Sequence, residues 1–179
     1  MGRDKALLEL DGEPLVRRAA RVLGAVVPRV LLACGSAPRY PELELECVLD
    51  ATAGVGPLAG LAAVLERLER APAAYACVLA CDMPLVDAEL FRLLLGRARE
   101  SGAAVVLPES AQGLEPLCAV VHRDASAAVR AALAAGARRM DSFHADVRVV
   151  RVRAEAFGRA EAHNLNTRAD FLAAGGRWA

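Results

Sequence analysis

The sequence predicts an α/β protein, a single domain over residues 1–179 with a mostly parallel sheet. Three observations carry that expectation. Apolar runs of strand length alternate with stretches whose apolar residues recur at helical spacing, the pattern of strands joined by right-handed crossover helices. Several of these runs end in an acidic or glycine-bearing loop, at Asp50, at Gly54 to Gly60 and at Asp82, and in open α/β sheets such strand ends frame the ligand cleft. No internal repeat, low-complexity linker or shift in composition divides the chain.

Length and composition set the outer bounds. With 179 residues, 55% of them hydrophobic, the chain can bury a proper core. Its 22 basic and 22 acidic residues cancel, so the overall balance points to neither nucleic acid nor an anionic membrane surface as partner. No apolar segment reaches the roughly 18 residues of a membrane span, and the opening Met1-Gly2-Arg3-Asp4-Lys5 has no apolar signal region. The expected location is the cytoplasm. The five cysteines are an odd number in apolar surroundings, which reads as reduced structural thiols. Cys77 and Cys81, if on one strand, stand roughly 13 Å apart, too far for a bridge or a shared metal ion.

Taken in order, residues 1–13 combine charges with a short strand-like run and an Asp11-Gly12 turn signal. Pro14 suits the first turn of a helix that follows Leu15, Val16, Ala19, Val22 and Leu23 and ends near Gly24. Arg29 to Cys34 reads as a buried strand with Gly35-Ser36 as its exit, and Leu43 to Leu49 as a weaker strand finishing at Asp50. The glycine-rich stretch after Asp50 leads into a helix whose apolar residues recur from Leu58 to Leu68, running up to Arg70, and whose amino terminus favours anions. Ala76 to Val86 begins as a buried strand and then meets Asp82 and Pro84; the proline stops the ladder and leaves the carboxylate at the strand end. Asp87 suits the cap of a helix through about Arg99. Ala103 to Leu107 is the next strand, closed by Pro108, followed by a polar loop and a strand over Leu117 to Val121. Glu115 is either a loop acid or a cleft residue. An alanine-rich helix runs from Asp124 to Ala135 before Gly136, and Val147 to Val152 is a strand with one solvated side. Thr167 and Asp170 resemble a capping box at the start of a last helix, and Asn164 and Asn166 alternate so that both amides point one way.

A convergence of acidic and glycine-bearing strand ends suits a nucleoside triphosphate with a divalent cation. Lys5 is the only lysine among 22 basic residues, a compact charge that a guanidinium fork does not replace, and is placed to offset phosphate charge. Asp82 would hold Mg²⁺ through oxygen, the ligand type that ion prefers. His122, His144 and His163 have no ligand-like spacing and read as ordinary loop or surface residues.

Five motifs, in this order, resemble molybdenum cofactor guanylyltransferases of the MobA type: Met1-Gly2-Arg3-Asp4-Lys5-Ala6-Leu7-Leu8, Gly56-Pro57-Leu58-Ala59-Gly60, Cys81-Asp82-Met83-Pro84-Leu85, Glu115-Pro116-Leu117-Cys118-Ala119 and Asn164-Leu165-Asn166-Thr167. The resemblance covers nearly the whole chain. It implies a Rossmann-like nucleotidyltransferase fold and the joining of GMP from GTP to the terminal phosphate of molybdopterin, with release of pyrophosphate. By matching position it assigns Lys5 to the GTP phosphates, Asp50 to GTP near its guanosine part, and Asp82 to Mg²⁺ and GTP. Lys5 and Asp82 are then the catalytic pair, while Gly56, Gly60, Asn164 and Asn166 line the pterin side. Other proteins of molybdenum cofactor biosynthesis would be its partners.

Two departures stand out. The family carries a strand and a Leu-Ala-Gly-Gly loop just before the Met-Gly motif, where this sequence begins at Met1, so the expectation is an internal methionine of a longer protein. Arg168 stands where the family usually has proline. Two other functions remain open on these residues: a cytidylyltransferase acting on the same pterin, and a non-catalytic pterin- or nucleotide-binding protein.

Overall fold

In the computed structural model, which describes residues 4–50, 56–110, 113–153 and 168–177, the chain opens on a single 3-10 turn, Lys5–Leu7. Asp4 caps it, its Oδ1 accepting from the Ala6 amide at 3.1 Å. The Asp11-Gly12 turn then folds β1 (Glu9–Leu10) against β2 (Glu13–Pro14), with φ of 55° and 78° at the two turn residues, as a primed hairpin requires. Pro14 therefore ends a strand and stands at the N-cap of α1 (Leu15–Gly24), one position earlier than its sequence context predicts.

The run expected over 29–34 condenses to β3 (Leu31–Ala33), which pairs in parallel with β4 (Glu46–Val48). Pro41–Leu43 makes a 3-10 turn in place of the first residue of the expected strand. From β4 the chain reaches Asp50 and then α2 (Pro57–Glu69), entered through Gly56. β5 (Tyr75–Leu79) delivers Asp82, and Asp87 caps α3 (Ala88–Ser101) by accepting from the Leu90 amide at 3.0 Å. β6 (Val105–Ser110), β7 (Gly113–Leu114) and β8 (Cys118–His122) follow, then α4 (Ser126–Ala134), β9 (Val149–Arg153), α5 (Arg168–Ala173) and β10 (Gly176–Arg177), which pairs with β1.

Pro108 lies inside β6 and does not close it. Val105 and Val106 pair with β8, and Glu109 and Ser110 pair with β7, so the proline sits between two antiparallel ladders and its missing N–H breaks neither. The polar residues after it are correspondingly a hairpin arm, not a plain loop.

The long strands of the central sheet run mostly one way, with β8 and the short β7 against them. β5, β6 and β9 run the same way and β6 pairs directly with β9, but β8 lies between β5 and β6 and runs against both. Among the described residues no ladder joins β3 and β4 to β5. Alternation along the strands makes two cores. Val106, Val120 and Val152 face α3 and the end of α1, around Phe91, Leu94 and Val22. Val105, Leu107, Ala119 and Val121 face α2 and α4, around Leu58, Leu65 and Phe143. A third cluster of Leu8, Leu10, Leu15 and Phe171 anchors the first turn and packs on Cys81. No helix among the described residues is long and apolar enough to cross a membrane.

Candidate active site

β5 stops at Leu79, and the chain beyond it is held from three sides. The Ala80 amide donates to Leu117 O at 2.9 Å, the amides of Met83 and Val86 close turns onto Ala80 O and Met83 O, and Arg18 Nε of α1 donates to Pro84 O at 3.1 Å. Met83 and Val86 point into the core. The loop is thus a rigid mount that leaves Asp82 half-buried, with no hydrogen bond or ion pair to any described residue. Lys5, also half-buried, is likewise without a salt bridge among the described residues.

The thiol of Cys81 reports which charges surround it. Burial first, then the negative Asp82, push it up to about 11; Asp4 acts in the same sense and Lys5 against it. Asp82, Asp4 and Lys5 thus all lie near enough to Cys81 for their charges to act on its thiol, which stays protonated at neutral pH and is no nucleophile.

Asp50 stands just past the end of β4, in the β3–β4 pair. Its amide donates to Gly35 O at 2.8 Å, and its side chain turns toward α2. Oδ1 is buried with no hydrogen-bond partner among the described residues, and burial raises the carboxyl above its ordinary value. A Cβ on Gly60 would lie 3.0 Å from Ala33 Cβ and 3.6 Å from Asp50 Oδ1, so glycine is what lets the first turn of α2 close on β3 and on this carboxylate. Gly56 has φ of 85°, and a Cβ there would stand 3.1 Å from Arg138 O. Asn164 and Asn166, assigned to the pterin side, lie outside the described residues, as do Thr167 and His163.

The loop after β3 runs from the Asp50 amide to Asp4. Tyr40 Oη donates to Asp4 Oδ2 at 2.7 Å, and Arg39 also donates to Asp4. Burial works against the ionised Asp4, but Tyr40, the Ala6 amide and Arg39 together hold its carboxyl below the ordinary value. Nothing in the sequence around Tyr40 marks it as a site residue. Glu115, which the sequence left between loop and cleft, is buried and accepts from Ser110 Oγ at 3.1 Å. Another contact escaped the sequence: all five cysteines are free, but Cys34 Sγ lies 2.8 Å from Cys47 Sγ across the β3–β4 pair.

No three His, Cys, Asp or Glu side chains gather as a metal cluster among the described residues. A cation at Asp82 would have a single carboxylate from this part of the chain and take its remaining oxygens from phosphates and water, the manner in which Mg²⁺ is bound. The donor chemistry fits that ion. A surface cavity of about 370 Å³ between α3 and β9 has none of these residues; its Arg97 and Arg151 are engaged by Glu100 and Glu109.

The family model described as MobA-like NTP transferase domain matches residues 1–149. A probable molybdenum cofactor guanylyltransferase of Opitutus terrae is 40% identical over 144 residues, 80% of this chain and 70% of that protein. One from Pelotomaculum thermopropionicum is 36% identical over 181 residues, 97% of this chain and 85% of that protein. Among solved structures, molybdopterin-guanine dinucleotide biosynthesis protein A of Archaeoglobus fulgidus superposes with a TM-score of 0.76 at 24% identity, covering 97% of this chain and 89% of its own. The 2-C-methyl-D-erythritol 4-phosphate cytidylyltransferase of Thermus thermophilus gives 0.71 at 18% identity, covering 95% and 91%. These two show the nucleotidyltransferase fold.

Proposed function

Because the chain belongs to the family of MobA-like NTP transferase domains, we propose that it transfers GMP from GTP to the terminal phosphate of molybdopterin, releasing pyrophosphate and forming the guanine dinucleotide cofactor. The names of its relatives from Opitutus terrae and Pelotomaculum thermopropionicum support that acceptor.

The observation that carries the guanine half is Asp50 Oδ1, a buried acceptor without a donor among the described residues. A buried carboxylate oxygen left unpaired is costly, and a ligand that brings N–H groups removes the cost. Guanine offers an adjacent ring N–H and 2-amino group, two donors on one edge, which a carboxylate accepts together.

The chemistry asks little beyond alignment. An oxygen of the pterin phosphate forms a bond to the α-phosphorus as the bond from that phosphorus to the bridging oxygen of pyrophosphate breaks in line. Lys5 offsets charge on the triphosphate oxygens, and Asp82 holds Mg²⁺ through a hard oxygen donor. When bound, that ion supplies further neutralisation of phosphate charge. Gly56 and Gly60 let the start of α2 close on Arg138 and on β3, and the resemblance puts both on the pterin side with Asn164 and Asn166. The reaction belongs in the cytoplasm, among the other proteins of molybdenum cofactor biosynthesis, and involves no nucleic acid and no membrane.

Pyrophosphate release from GTP and from CTP, each with molybdopterin and Mg²⁺, tests the proposal. Release with GTP that is lost in Asp50→Ala is expected. Equal or better use of CTP overturns the guanine assignment, and failure to bind either nucleotide overturns the enzyme.

A further inference from the structure

The turn that carries Lys5 has little of its own to hold it. It is three residues long, closed by the Leu7 amide on Asp4 O and the Leu8 amide on Lys5 O, both at 3.1 Å, and isolated 3-10 turns are weak. What fixes it, beside the packing of Leu8 with Leu10, Leu15 and Phe171, comes from far along the chain. Asp4 Oδ1 caps the turn through the Ala6 amide, while Oδ2 accepts from Tyr40 Oη at 2.7 Å and from the Arg39 guanidinium. The Arg39 guanidinium carbon in turn lies 4.9 Å over the Tyr40 ring.

The backbone at this contact is unusual. Tyr40 has φ 55° and ψ 55°, the left-handed region, which is rare for an aromatic residue and is here followed directly by Pro41. Such conformations persist only where surrounding contacts over-determine them, and they cluster at functional sites. The same loop starts at Gly35, whose carbonyl takes the Asp50 amide at 2.8 Å. One short segment therefore touches Asp50 at one end and the Lys5 turn at the other.

We propose that Tyr40 is a positioning residue: through Asp4 it fixes the Lys5–Leu7 turn and so sets where Lys5 meets the triphosphate. The inference rests on the nucleotide assignment above and deepens it, because it names what holds in place the group that neutralises phosphate.

The test is calorimetric binding of Mg-GTP and of guanosine to the full chain as wild type, Tyr40→Phe, Lys5→Ala and the double variant. Removing a hydrogen bond to a charged group should weaken GTP about tenfold in Tyr40→Phe, while guanosine stays within about twofold, the usual margin for uncoupled sites. In the Lys5→Ala background the same substitution should cost nothing further, since its effect passes through Lys5. Unchanged GTP affinity, a parallel loss of guanosine, or a full additional loss on top of Lys5→Ala overturns the proposal. A wild-type chain that binds no GTP removes the nucleotide assignment as well, so the two failures are told apart. Should circular dichroism show Tyr40→Phe unfolded, Asp4→Asn replaces it with the same expected and overturning results.

Discussion

Asp50 keeps its place in the fold against its own solvation. Burial raises its carboxyl pKa, so the ionised form is penalised in the folded state relative to the unfolded chain. The penalty appears as pH rises from the ordinary carboxylate value and is complete above the raised folded value. Asp50→Asn should therefore melt higher than wild type at neutral pH, lose that advantage below about pH 4, and bind GTP poorly; a variant no more stable at pH 7 refutes the desolvation argument. Asp82 differs, being half-buried and unpaired among the described residues, so the core depends little on it. Asp82→Ala is expected to abolish Mg²⁺-dependent turnover with its melting temperature unchanged, and ordinary turnover would remove Asp82 from the mechanism. Lys5→Arg keeps the charge but should lower kcat, since a planar fork does not fit where a compact ammonium does; wild-type kinetics would make the single lysine incidental.

At the level of elements, the site depends on how closely α2 approaches β3. Gly60→Ala gains helix propensity of about 1 kcal/mol but brings its Cβ to 3.0 Å from Ala33 Cβ, inside the ordinary contact range. Overpacking of this kind typically costs about 1–3 kcal/mol, so the net effect should be destabilising and should disturb Asp50, 3.6 Å away. Urea unfolding and GTP binding measure both; a variant as stable as wild type would mean the helix yields freely. The opposite case is α3, whose start is set by one side chain. Asp87→Ala should lose about 1 kcal/mol without touching nucleotide binding.

Over the whole molecule, the central sheet separates two apolar layers. Phe91 belongs to the layer under α3 and Phe143 to the layer under α2 and α4, and both are fully buried. Each truncation to alanine is expected to cost about 3–5 kcal/mol. Because the two side chains share no cluster, the double variant should lose the sum within about 0.5 kcal/mol. A large coupling between them would show that the sheet transmits packing strain from one face to the other.

Much of this was legible in the sequence because its signals are local. The helix from Leu15 to Gly24, the Asp87 cap, the Asp11-Gly12 turn and the strand ending before Asp82 each follow from residues within a few positions of one another. The tertiary structure alone decided the rest. A run such as Cys118–His122 announces burial, but alternation looks the same in either direction, so the reversed insertion of β8 between β5 and β6 depends on pairing partners elsewhere in the chain. Tyr40 and Asp4 stand 36 residues apart and Cys34 and Cys47 stand 13 apart, and contacts at such separations leave no periodic trace. The sequence by itself determined where the long helices and central strands would fall and that Asp50 and Asp82 would follow the ends of strands, but not the turn at Pro41–Leu43 or the hairpin arm after Pro108. Only folding decided which of those ends face each other, because side-chain meeting distances are set by the packing of whole elements.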